Sequence, residues 1–143
     1  VYARHGRRFG PEWLQQYFDS QPWYEPNEKP TKIELSAIEQ QNLETIVRYE
    51  NRIHESLGTK LVPKAVLEGL FLEDARKLRN EIYARHGKVF KDKAAQKYFS
   101  SLDWYKPDPD YSDGSLNAVE RKNVAAILAY EKKAVSVADA VEG

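Results

Sequence analysis

The chain has 143 residues, and its 22 lysines and arginines balance its 22 aspartates and glutamates. This balance gives no overall field that would favour nucleic acid or an anionic membrane, and the absence of cysteine excludes disulfides and thiolate chemistry. The longest apolar stretch, residues 124–130, is far too short to cross a bilayer.

A repeated block organises the whole sequence. Tyr-Ala-Arg-His-Gly occurs at residues 2–6 and again 81 residues later, at residues 83–87. The same offset, without a gap, relates Phe9 to Phe90, Tyr17-Phe18 to Tyr98-Phe99, Trp23-Tyr24 to Trp104-Tyr105, and Tyr49-Glu50 to Tyr130-Glu131. We therefore predict a tandem duplication of one small unit.

In the first copy, residues 1–6 predict the end of a helix, which Gly6 terminates in a left-handed conformation. A second helix is expected to follow, with Gly10 at its cap and Pro11 at its first position, and to run to about Phe18. Residues 23–26 (Trp-Tyr-Glu-Pro) predict an extended aromatic loop. The capping box Ser36-x-x-Glu39 then predicts a long third helix that ends near Gly58.

Residues 58–69 predict a linker with a short helical turn before Gly69. In the second copy, helical spacing predicts a helix from about Leu72 to His86, ended by Gly87. A second helix capped by Lys91 and a third helix with the capping box Asn117-x-x-Glu120 are expected to follow.

No segment predicts a sustained strand, so the expected fold is all-α, a tandem repeat of two small three-helix units with aromatic-rich loops. The predicted organisation is a first repeat at residues 1–57, a linker at 58–69, a second repeat at 70–133 and a C-terminal tail at 134–143. The first repeat lacks most of its opening helix. Because this helix is missing, we expect either that residues upstream of Val1 exist or that another element covers the exposed faces of the second and third helices. The candidate cover is the apolar tail: Ala134, Val135, Val137, Ala138, Ala140 and Val141.

His86 is a candidate general acid or base, with Glu81 as a possible carboxylate partner, and Arg85 is a candidate for holding a carboxylate or phosphate. The alternative is that Arg85 and His86 serve only the helix end, where cations complement the helix dipole. One equivalent histidine per copy and no cysteine supply too few ligands for a zinc site, so none is expected. Residues 108–119 also lack the glycine and glutamate positions of a calcium loop.

Three further pairs have expected structural roles. Trp23 and Trp104 are expected to be buried, whereas Tyr24 and Tyr105 are left open between the core and a binding surface. Asn42 and Asn123 are expected to hydrogen-bond buried backbone. Glu50 and Glu131 are expected to pair with an arginine.

The repeated pattern resembles the YARHG domain, a bacterial family named for this motif. The resemblance rests on residues 78–87 (Leu-Arg-Asn-Glu-Ile-Tyr-Ala-Arg-His-Gly) and on Phe90, Gln96, Tyr98-Phe99, Trp104-Tyr105, Pro107, Leu116, Glu120, Asn123 and Glu131. It implies a small helical fold in an extracellular or cell-envelope protein that binds or acts on peptidoglycan. It supplies no established catalytic residue, and neither a cofactor nor a metal is expected from the residues.

The leading hypothesis is thus an extracellular or cell-envelope module that binds a cell-wall glycan or peptide and not nucleic acid, with no membrane span in this segment. The candidate ligand-binding residues are Arg4, His5 and Tyr24 in the first copy and Arg85, His86 and Tyr105 in the second. One alternative is a peptidoglycan hydrolase that uses His86 and Glu81. The other is a structural or protein-interaction repeat without catalysis.

Overall fold

The computed structural model describes the backbone of residues 1–29 and 32–142, and the side chains of these residues as far as Ser136. These residues form six α-helices, two short 3-10 helices and no strand, which confirms the all-α prediction. The α-helices are α1 (Glu12–Asp19), α2 (Ala37–Ser56), α3 (Lys64–Glu68), α4 (Leu72–Ala84), α5 (Lys93–Ser100) and α6 (Ala118–Glu142), and the 3-10 helices are Tyr2–His5 and Asp113–Ser115. No helix in the described part of the chain is long and apolar enough to span a membrane.

The chain divides into two compact units, Val1–Glu50 and Asn51–Gly143. The backbone of the predicted tail continues α6 as far as Glu142. The side chains of Val137, Ala138, Ala140 and Val141, which the sequence suggested as a cover, lie outside the described residues.

Side-chain capping bonds mark where α2 and α6 begin. At the start of α2, the Ser36 backbone N–H donates to Glu39 Oε2 at 2.9 Å and the Glu39 N–H donates to Ser36 Oγ at 3.2 Å. At the start of α6, the corresponding bonds between Asn117 and Glu120 are 2.8 and 2.9 Å long. Both predicted capping boxes are therefore confirmed.

Three predicted helix boundaries, two starts and one end, differ from the observed ones by one or two residues. Asp92 rather than Lys91 caps α5, because its carboxylate can accept from the Ala95 N–H, at 2.7 Å, and a lysine cannot. Pro11 rather than Gly10 is the cap of α1. Helix α4 ends at Ala84, and His86 lies in the turn that follows.

The larger unit has its core between α4 and α6. Leu78 and Ile82 of α4 and Ile127 of α6 belong to one apolar cluster, together with residues from the segment 57–67. Burying these side chains is the main stabilising contribution to a unit of this size.

Asn123 of α6 is fully buried in this core. Its amide oxygen accepts from the Val62 N–H at 2.9 Å, and its amide group donates to the carbonyls of Leu57 and Lys60 at 2.8 and 2.9 Å. The predicted role of this residue is confirmed, and it fixes the backbone before α3 against α6.

Glu131, also on α6, is buried and accepts two hydrogen bonds from the Arg79 guanidinium of α4, at 2.7 and 3.1 Å. The hydrogen bonding of Arg79 to the Glu131 carboxylate is the main reason that the pKa of Arg79 lies above its ordinary value. The predicted arginine partner of Glu131 is thus confirmed.

The smaller unit buries much less. None of the residues in α1 or α2 is buried. Its aromatic side chains pack on one another instead: Phe9 stacks on Phe18 with ring centroids 4.6 Å apart, and Phe18 meets the edge of Trp23 at 6.0 Å.

Asn42 is exposed, so the prediction that it bonds buried backbone is wrong. Its counterpart Asn123 bonds to the chain segment that precedes α3, whereas Asn42 lies on the exposed surface of α2.

Candidate functional site

The glycine of each repeated block has a left-handed backbone and joins the block to the aromatic loop. Gly6 and Gly87 have φ angles of 73° and 85°. The Gly6 carbonyl accepts from the Asn27 N–H at 2.9 Å, and the Gly87 carbonyl accepts from the Asp108 N–H at 2.8 Å. The helix end and the loop that follows the Trp-Tyr pair are therefore held together in both units.

The histidine of each block contacts the capping box of the following helix. His5 Nε2 lies 2.7 Å from Glu39 Oε1, and His86 Nε2 lies 2.9 Å from both carboxylate oxygens of Glu120. The glutamate that caps the helix also holds the histidine, which requires the ring proton to be on Nε2 when the glutamate is ionised. Hydrogen bonds from the Ser36 backbone and from His5 hold the pKa of Glu39 below its ordinary value.

The arginine of each block lies over an indole ring. The guanidinium carbon of Arg4 is 4.8 Å from the ring centroid of Trp23, and that of Arg85 is 4.7 Å from Trp104. Both arginines are exposed, and the two tryptophans are 43% and 38% exposed. The prediction that the tryptophans are buried is therefore wrong.

The tyrosines next to them are buried instead, with 8% of Tyr24 and 9% of Tyr105 exposed. Their hydroxyl groups donate to the backbone carbonyls of Arg7 and Lys88, at 2.8 and 2.9 Å. A phenol that finds a backbone acceptor can be buried at little cost, so the tyrosine occupies the interior and the tryptophan lies outside. Tyr24 and Tyr105, which the sequence suggested as ligand-binding residues, are thus buried in the interior of their units.

His86 and Glu81, the catalytic candidates from the sequence, have different partners. His86 binds Glu120, whereas Glu81 accepts from Arg85 at 2.6 and 3.0 Å and is also hydrogen-bonded to His54 Nδ1. Burial raises the pKa of Glu81, but hydrogen bonds from His54 and Arg85 outweigh it, so that the net pKa lies below the ordinary value. This carboxylate is ionised at neutral pH and is not suited to act as a general acid.

No role is predicted for His54 from the sequence, because nothing at the equivalent position of the second copy matches it. Its contact with Glu81 joins residues far apart in sequence, and no local pattern signals it. Within the described part of the chain, no three histidine, cysteine or acidic side chains group closely enough to hold a metal ion.

Comparison with known protein families identifies the family to which the chain belongs. The YARHG domain model matches the chain twice, at residues 1–51 and at residues 53–132. The chain belongs to the YARHG domain family. The family indicates an extracellular module. None of the curated proteins is similar enough to match the chain.

One solved structure is also similar. It comes from Legionella pneumophila subsp. pneumophila str. Philadelphia 1 and is provisionally described as a nutrient binding protein. The match is 32% identical, covers 67% of this chain and 27% of that chain, and has a TM-score of 0.44. The chain therefore spans much less than half of that protein.

The geometry gives most letters of the YARHG motif a structural role. The alanines, Ala3 and Ala84, are buried. The tyrosine of each motif lies under a cation, Arg7 over Tyr2 at 4.8 Å and Lys88 over Tyr83 at 4.2 Å. The histidine and the glycine join the motif to the next helix and loop. The arginine alone is exposed in both YARHG copies, where it lies on a half-exposed tryptophan.

Proposed function

We propose that the chain is an extracellular module that binds the bacterial cell wall through one arginine–tryptophan platform in each unit. The platforms are Arg4 on Trp23 and Arg85 on Trp104. The observation that carries the proposal is the stacking of an exposed guanidinium on a half-exposed indole at equivalent positions of both units. The YARHG assignment supports the extracellular setting.

The chemistry of the platform suits a ligand that has both sugar rings and carboxylates. An indole face packs against the apolar face of a sugar ring, and a guanidinium donates paired hydrogen bonds to a carboxylate. Stacking on the ring also limits the freedom of the arginine, so that less entropy is lost when it binds. Peptidoglycan offers both groups, since its glycan chains carry peptides that end in carboxylates.

Two such platforms on one chain give a physical reason for the duplication. Once one platform is bound to a polymer, the other meets its ligand at a high effective concentration, and weak sites together retain the protein strongly. Loss of either platform should therefore remove most of the retention rather than half of it.

Co-sedimentation with purified peptidoglycan sacculi tests the proposal. We expect the unmodified chain to sediment with the sacculi and the double variants Arg4→Gln/Arg85→Gln and Trp23→Leu/Trp104→Leu to remain in the supernatant. The matched control is Arg7→Gln/Lys88→Gln, which removes the same charge from equivalent positions and also from above an aromatic ring.

Three results contradict the proposal. If the unmodified chain stays in the supernatant, the chain does not bind this polymer. If Arg7→Gln/Lys88→Gln reduces sedimentation as much as Arg4→Gln/Arg85→Gln, net charge rather than the platform is responsible. If each single variant, Arg4→Gln or Arg85→Gln, loses only half of the retention, the two platforms do not act together.

A further inference from the structure

A second cation lies on an aromatic ring in the larger unit. The ammonium nitrogen of Lys77 is 4.9 Å from the ring centroid of Tyr98. Lys77 is exposed, and Tyr98 is 41% exposed. The larger unit therefore presents two stacks of the same kind, an exposed cation on a half-exposed ring, and the Arg85–Trp104 platform is only one of them.

The rings of the two stacks belong to one aromatic cluster. The ring centroid of Tyr98 is 5.0 Å from that of Phe99, and the centroid of Trp104 is 6.2 Å from the same ring. Phe99 itself is buried. Because one buried ring contacts both, the two half-exposed rings are held next to each other.

The cations of the two stacks lie on one face of α4. Lys77 and Arg85 are eight residues apart with Glu81 midway, and the backbone of Arg85 keeps a helical conformation. Residues four apart in a helix are neighbours on its surface, so the three side chains form a row about 12 Å long. The row also acts on the phenol: burial raises the pKa of Tyr98, and the negative charges of Glu81 and Asp74 raise it further.

The carboxylate in the middle of the row is already paired. Glu81 Oε1 accepts from Nε and Nη2 of Arg85 at 3.0 and 2.6 Å, and Oε2 is hydrogen-bonded to His54. A guanidinium has further N–H donors beyond those in these two bonds. Glu81 therefore fixes Arg85 over its indole ring, and the pairing reduces the repulsion between Glu81 and a ligand carboxylate.

We propose that Lys77 on Tyr98 is a second binding position of the larger unit, and that together with Arg85 on Trp104 it selects a glycan strand of at least two sugar rings. This selectivity depends on the proposed cell-wall binding. Each aromatic ring packs against one sugar, and each cation binds a carboxylate that the strand carries. The two positions are about 12 Å apart along α4, farther than one sugar ring extends, so a single sugar reaches only one of them.

Conformational entropy favours a glycan strand over a free peptide as the ligand. A peptide can supply two carboxylates, but it is more flexible than a chain of linked sugar rings. It therefore loses more conformational entropy when it is held at two separated positions. The half-exposed rings of Tyr98 and Trp104 also offer flat apolar faces of the kind that sugar rings pack against.

Isothermal titration calorimetry on the full chain tests the second position. The substitution Arg4→Gln is made first, so that only the larger unit keeps its platform. The probes are the disaccharide–peptide and the tetrasaccharide with two peptides, both released from purified sacculi by a muramidase, and the free peptide. We expect the tetrasaccharide to bind at least about tenfold more tightly than the disaccharide–peptide, because it adds a charge-assisted hydrogen bond.

Substitutions of Lys77 show whether the second position causes this difference. Lys77→Gln should remove the advantage of the tetrasaccharide and leave binding of the disaccharide–peptide unchanged, whereas Lys77→Arg should retain the advantage. The matched control is Arg76→Gln, which removes the same charge from the neighbouring residue of α4. Because Arg76 Nε lies 3.6 Å from Glu131 Oε1 of α6, this residue belongs to another face of the helix, and its substitution should not change the advantage.

The outcomes distinguish the second position from the proposed function. If neither saccharide binds even the unmodified chain, both proposals are wrong. If the two saccharides bind equally tightly, or if Arg76→Gln acts like Lys77→Gln, the second position is wrong while the Arg85–Trp104 platform stands. Binding of the free peptide as tightly as the tetrasaccharide would also overturn the second position, and would assign the surface to a peptide.

Discussion

The substitution Gly87→Ala, which adds a methyl group, tests how the YARHG motif is joined to the loop that contains Asp108. Gly87 has a φ of 85°, and a Cβ built on it would lie 2.5 Å from the Asp108 Cβ and 2.7 Å from the Asp108 backbone nitrogen. Because both neighbours belong to the loop rather than to a flexible side-chain end, Gly87→Ala must either move the loop or change the backbone of the turn.

The cost has two parts. A left-handed conformation costs a residue with a Cβ about 1–2 kcal/mol. Moving Asp108 away also weakens the 2.8 Å hydrogen bond between its N–H and the Gly87 carbonyl, which contributes about 1 kcal/mol. We therefore expect Gly87→Ala to lower the free energy of unfolding by about 2–3 kcal/mol.

Gly69→Ala is the matched control in the same unit. A Cβ there would meet only the carbonyl oxygens of Ala65 and Val66, both at the ordinary contact distance of 3.6 Å, and its φ is −91°. Because alanine restricts the unfolded chain more than glycine does, this substitution should be neutral or stabilise by up to about 1 kcal/mol.

The measurement is guanidinium-induced unfolding followed by circular dichroism, with the slope of the transition compared between variants. The reasoning is refuted if Gly87→Ala and Gly69→Ala differ by less than about 0.5 kcal/mol, the range of ordinary surface substitutions. The same comparison can be made in the other unit with Gly6→Ala and Gly10→Ala. A Cβ on Gly6 would lie 2.7 Å from the Glu25 carbonyl oxygen, whereas a Cβ on Gly10 would have no neighbour within 4 Å.

Three further substitutions probe buried polar contacts by the same unfolding measurement. Asn123→Ala should cost about 2–4 kcal/mol because it leaves three buried backbone groups without partners, whereas the exposed counterpart, Asn42→Ala, should cost less than about 0.5 kcal/mol. Glu120→Ala should cost about 1–3 kcal/mol, since the helix loses its capping box and His86 its partner. Folding lowers the pKa of Glu81, so its contribution is present above the unfolded carboxyl pKa of about 4.3 and is lost as the pH falls through the folded value. Glu81→Gln should therefore lower stability at pH 7 and flatten its decline below about pH 4.3; an unchanged decline would contradict the assignment.

The sequence predicted the features that depend on neighbouring residues. Both capping boxes follow from a spacing of three residues, and the left-handed turns follow from glycine after a helix. The internal repeat also predicted which pairs of residues are equivalent, because an unbroken offset needs no knowledge of the fold.

Features that depend on distant contacts were predicted less well. The choice between Trp104 and Tyr105 for the interior depends on a backbone acceptor, the Lys88 carbonyl, whose position is set by the turn after Gly87. Hydrophobicity alone predicted that the larger ring, that of Trp104, would be buried. Likewise, the contact between His54 and Glu81 joins residues from α2 and α4, and neither residue has a counterpart in the other repeat that would mark it.

Exposure separates the motif into a part that folds and a part that is available to a ligand. The identity of the five-residue block in both copies first suggests an active site, yet the alanine and glycine are buried and the histidine is held by the glutamate that caps the next helix. These roles require the same residues in any copy that folds, whether or not the copy binds anything. Arg4 is different, because an exposed cation on a half-exposed indole contributes only about 0.5–1 kcal/mol. Arg85 makes the same stack but also donates two hydrogen bonds to the buried Glu81. Stability therefore explains the retention of the histidine and glycine and, through Glu81, contributes to the retention of Arg85. It does not explain why a half-exposed tryptophan lies under the arginine in both units, and this is the observation on which the proposed ligand binding rests.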